Sequence, residues 1–91
     1  MNSEQEYFLK KLAEIQSRET DVALIKLGES ENEKLRSAFE DFGYEIIYRI
    51  MELLDGYYDS SKKYEVRNLL SNTVLNNDSD FHDLCGDFLM N

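Results

Sequence analysis

With 91 residues, 42% of them hydrophobic and 12% aromatic, the chain can bury one modest core but not two, so a single small globular domain over residues 1–91 is expected. Its net charge of −9 sets it against phosphate backbones and anionic lipid, which argues against direct nucleic-acid or membrane binding and steers it towards a basic protein surface. No apolar run approaches the roughly 20 residues that span a bilayer, and the acidic opening "MNSEQEYF" lacks the basic and apolar regions of a secretory leader. One cysteine cannot close an internal disulfide, so a reducing, cytoplasmic setting is expected.

Ser3 opens "SEQE", with Glu6 three residues on, a capping-box pattern that starts a helix. Phe8, Leu12 and Ile15 follow at helical spacing and predict its apolar stripe. Prolonging that stripe brings in Glu19 and Lys26, so the pattern weakens near "SRETD". The next stretch, "VALIKLG", reads as a continued helix, a separate short helix or a brief strand, with helix preferred and Gly28 as its end.

"SENE" repeats the capping pattern, with Ser30 as cap and Glu33 reaching back. From there to Asp55 the sequence predicts one long helix, with Gly56 past its last residue. Leu35, Phe39, Phe42, Ile46, Ile50 and Leu53 form a nearly continuous stripe and are its expected core face. Gly43 interrupts the helix at a propensity cost of about 1 kcal/mol relative to Ala, which suggests a close neighbour or a slight bend.

Beyond the loop "GYYDSSKK", Tyr64 and Val66 alternate with Glu65 and Arg67, the two-residue period of a strand. A two-residue "SN" turn would return the chain through "TVL" as a second strand. "NNDS" then breaks the chain, Asp78 or Ser79 provides a cap, and a short helix runs from about Asp80 to Met90. The fold class expected is α+β and mostly helical: two or three N-terminal helices including one long central helix, a small β-hairpin and a short C-terminal helix.

The only histidine and only cysteine stand three apart, His82 and Cys85. At about 100° per residue, Phe81, Leu84, Cys85 and Phe88 share one face of the last helix, so Cys85 points into an apolar stripe with His82 at its edge. A structural zinc site needs four N or S ligands, and an activated thiolate would be opposed by Asp83 and Asp87. The pair is therefore read as core packing. Asn76, Asp78 and Asp80 brush against the calcium-loop pattern, but Phe81 stands where the loop needs glycine and Asp87 where it needs glutamate. With no phosphate loop or nucleophile motif either, no catalytic residue, metal or cofactor is expected, and an enzyme is not.

One further pattern lies opposite the main face of the long helix. Tyr44, Tyr48, Met51 and Asp55 recur at i, i+4, i+7 and i+11, flanked by Glu52 and followed by Tyr57 and Tyr58. Tyrosine packs its ring while its hydroxyl finds water or a partner, so this second stripe suits either the inside of a central helix or a protein interface. As an interface it would receive a basic partner or a second copy of the chain. Two expectations follow: a small acidic interaction protein occluding a basic surface, as inhibitors and immunity proteins of similar size and charge do, or a homo-oligomeric accessory protein.

Overall fold

The computed structural model describes residues 3–57, 61–76 and 79–89. It has the expected mostly helical α+β architecture: helices α1 (Ser3–Lys26) and α2 (Glu33–Asp55), a hairpin of strands β1 (Arg67–Asn68) and β2 (Thr73–Val74), and a closing helix α3 (Phe81–Leu89). Tyr58, the cap candidate Asp78 and the expected terminus Met90 lie outside the described residues.

Residues 20–26 continue α1 rather than forming a helix or strand of their own. The stripe weakened near "SRETD" because the inward face is partly polar. Gln5, Leu9, Thr20 and Leu24 are its buried residues, while Ile15 is exposed. Gln16 Nε2 donates to the Glu40 carbonyl at 2.9 Å, and the Thr20 hydroxyl donates back to the Gln16 carbonyl at 2.9 Å. A hydrogen-bonded polar group can face a neighbouring helix without the desolvation cost of an unpaired one.

Both long helices end on a glycine in the left-handed region. After α1, Gly28 (φ 67°) donates to the Ile25 carbonyl at 3.0 Å and Glu29 to the Leu24 carbonyl at 2.8 Å. After α2, Gly56 (φ 87°) donates to the Leu53 carbonyl and Tyr57 to that of Glu52. This is the paired closure that satisfies the last orphan carbonyls. The start of α2 differs from expectation. Asn32, not Ser30, is the cap, its Oδ1 accepting from the Leu35 N–H at 2.9 Å; asparagine is as good a cap as serine, and Asn32 stands three residues before the N–H it satisfies.

The hairpin also departs from the predicted two-residue turn. Its register pairs Arg67 with Val74 and Asn68 with Thr73, so the connection is Leu69–Asn72. Asn68 Oδ1 accepts from the Leu70 N–H at 2.9 Å, the Asn72 N–H donates to the Asn68 carbonyl at 2.7 Å, and Asn72 takes a positive φ of 61°. These local bonds outcompete the tighter turn. The buried Asn76 prolongs the pairing with its side chain, accepting from the Val66 N–H at 3.0 Å and donating to the Tyr64 carbonyl at 2.8 Å.

The core lies at one end of the molecule. Leu9, Met51, Leu75, Phe81, Cys85 and Leu89 are buried there, and Phe8, Tyr44, Ile47, Tyr48, Leu54 and Val66 are among the residues packed around them. The α1/α2 hairpin reaches beyond this cluster, giving extents of 42 × 28 × 19 Å. This placement reverses the expected role of α2's faces. The second stripe turns inward, whereas Phe42 (66% exposed), Ile46 (45%), Ile50 (47%) and Leu53 (38%) face outward. Among the described residues, α3 packs on the tyrosine side of α2 and α1 runs along its flank at Glu40 and Gly43, which leaves Phe42, Ile46, Ile50 and Leu53 open.

Candidate interaction surface and a buried polar centre

The outward stripe is continuous. Phe42, Ile46, Ile50 and Leu53 follow at intervals of four, four and three residues, close to the helical repeat, so they share one line along α2. Towards α1 the stripe opens into an apolar groove of about 370 Å³, lined by Ile15, Ala23, Phe39, Phe42, Ile46 and Ile47. Gly43 forms part of its floor, beside the Gln16 side chain. On the open flank, Arg49 bridges Glu45 and Glu52 at 3.8 and 2.7 Å.

The residues of the second stripe fare differently from one another. Met51 and Asp55 are 4% and 2% exposed and are closed to any partner in this fold. Tyr44 and Tyr48 stack with centroids 5.9 Å apart and pack half-buried against the core. Burial raises the Tyr44 hydroxyl above its ordinary range. Glu52 is half-buried beside Arg49, and Tyr57 is exposed with its ring centroid 4.3 Å from that of His82.

His82 does not partner Cys85. Asp55, the last residue of α2, reaches the first turn of α3, and its Oδ2 accepts from the His82 backbone N–H and from His82 Nδ1, both at 2.8 Å. The carboxylate thereby caps α3 from another helix, where the helix dipole favours negative charge. His82 Nε2 lies 3.2 Å from Asp83 Oδ1, so the imidazole stands between two carboxylates. Asp80, just before α3, pairs with Lys63 at 3.5 Å. Cys85 is fully buried, and desolvation first, then the negative charge of Asp55, pushes its thiol up to about 12. A thiol held neutral in this way packs as a small apolar group.

The sequence pointed to Cys85 as core and to His82 as a boundary residue. It gave no signal for the pairing with Asp55, which depends on how two distant helix ends meet. No family model matches the chain, and comparison with curated proteins and with solved structures returns no match. No helix among the described residues is long and apolar enough to cross a membrane.

Proposed function

We propose that this chain is a small, acidic, non-enzymatic protein-interaction module that seats a basic partner on the outer face of α2 and the adjoining α1/α2 groove. The observation that carries the reading is the exposure of Phe42, Ile46, Ile50 and Leu53 in one line. Isolated surface apolar residues are ordinary, but a contiguous stripe with a groove beside it is characteristic of binding surfaces. The stripe would supply contact area, and the net charge of −9 would draw in a cationic partner and disfavour a second, equally acidic copy. An acidic body laid over a basic surface occludes it, which is the action of an inhibitor or immunity-type protein.

The test is affinity capture with wild type and Ile46→Glu, at low and high salt, alongside molar mass by light scattering. A monomer that retains a basic protein at low salt, and loses it both at high salt and on Ile46→Glu, supports the reading. A wild-type dimer that Ile46→Glu splits into folded monomers would transfer the surface to self-association.

A further inference from the structure

The Asp55 carboxylate is an anomaly that its capping role only half explains. Its side chain is 0% exposed. While Oδ2 accepts two hydrogen bonds from His82, Oδ1 is buried and no group among the described residues donates to it. A buried carboxylate oxygen without a donor carries the full desolvation penalty of a charged group. A second carboxylate, that of Asp80, aggravates the imbalance: one ligand atom from each of Asp55, Asp80 and His82 lies within 4.8 Å of the others. Among the described residues, the cations paired with this group are the His82 imidazole, if protonated, and Lys63, whose side chain is 60% exposed. Asp83 adds a further carboxylate on the opposite edge of the imidazole.

We propose that Asp55, Asp80 and His82 bind a divalent transition-metal ion of the zinc class. One imidazole nitrogen with two carboxylate oxygens is a borderline donor set, which suits zinc and its neighbours better than calcium or magnesium. Two ligands on a metal with bonds of about 2.1 Å stand about 3.0–3.4 Å apart. His82 Nδ1 and Asp55 Oδ2, at 2.8 Å, are already near that spacing. The metal would replace the proton on Nδ1 and supply positive charge beside the orphaned oxygen. Asp80, with its side chain 19% exposed, would swing in from the rim as Lys63 releases it. Three protein ligands leave the remaining positions to water. The ion would clamp the end of α2 to the start of α3, so binding would appear as stability.

The chain's single histidine makes the test direct, provided that no histidine tag is present. Zinc is titrated into the chelator-treated chain while the imidazole nitrogens are followed by NMR, with calorimetry for stoichiometry and thermal unfolding with and without the ion. One equivalent should bind, shift the Nδ1 resonance and raise the melting temperature. Asp80→Asn, a change at the rim of the site, should keep the fold and weaken binding by at least the roughly 10–100-fold that loss of an outer-shell partner costs. His82→Gln should abolish the effect. An imidazole that does not respond to zinc, or binding unchanged in Asp80→Asn, would overturn the proposal, the latter assigning the ion to scattered surface carboxylates.

Discussion

Glycine occupies three different environments in the two long helices and at their ends, and each environment sets the sign of its replacement by alanine. Gly43 has ordinary helical backbone, and a Cβ there would meet Gln16 Cγ at 3.5 Å, a normal contact. Gly43→Ala should therefore stabilise the fold by about 0.5–1 kcal/mol through helix propensity. At Gly28 (φ 67°) a side chain would enter open space, so alanine should cost about 1 kcal/mol for the left-handed backbone alone. At Gly56 (φ 87°) the same Cβ would also lie 2.9 Å from the Lys62 carbonyl oxygen, and the loss should clearly exceed that at Gly28. Urea unfolding of the three variants checks both signs and the order. Cys85 supports a prediction about pH. The unfolded thiol ionises near its ordinary value of 9.0 while the folded one stays protonated until about 12. Its contribution is thus complete below about pH 8 and is lost as pH rises across that interval, by at most about 1.4 kcal/mol per pH unit. Wild type should lose stability from pH 8 to 10 more steeply than Cys85→Ala, and native Cys85 should resist alkylation. Equal slopes would mean that the thiolate is accommodated in the core.

At the scale of elements, periodicity identified the helices but not which face of the two long ones is buried. The long helix, its glycine terminus and the inward line of Phe81, Leu84, Cys85 and Phe88 in α3 were all legible, because they rest on spacing and end chemistry within one segment. The face of α2 was not. Its most hydrophobic stripe is the exposed one, and the side carrying tyrosines and an aspartate is buried, because burial follows where α3 and the hairpin dock. Asp55 helps to fix that choice by capping α3, a use that no spacing rule within α2 reveals. The inward face of α1 was obscured in the same way by Gln5, Gln16 and Thr20, whose partners lie elsewhere in the chain or one turn back. Adjacent substitutions on α2 should expose this division. Ile50→Gln, on the outer line, should change stability by less than about 0.5 kcal/mol. Met51→Ala, one residue on, should cost about 2–5 kcal/mol, as expected for a buried side chain leaving a cavity. Thermal or urea unfolding of both decides it. The reverse order would mean that the stripe is covered in solution, by a second copy or by a shift of α1.

Across the whole molecule, stability should be graded along the α1/α2 hairpin. The core cluster ties the beginning of α1 to the second half of α2, α3 and the hairpin. The far end relies on buried Leu24 and Thr20, the Gln16–Glu40 hydrogen bond and the Asp21–Arg36 ion pair. Regions with few buried apolar contacts open locally at a free energy below that of global unfolding. Amides around residues 22–38 should therefore exchange with solvent through local opening, while those of residues 47–54 should follow global unfolding. Arg36→Ala removes an ion pair whose partner Asp21 is half exposed, so it should leave global stability within about 0.5 kcal/mol. It should still lower protection at the hairpin tip, because the pair bridges the two helices where little else does. Native-state hydrogen exchange on wild type and Arg36→Ala separates the cases. Uniform protection along both helices would make the tip part of the same cooperative unit as the core. A graded profile would place the proposed docking groove between a fixed end and a yielding one, so that a seated partner should raise protection most at the tip.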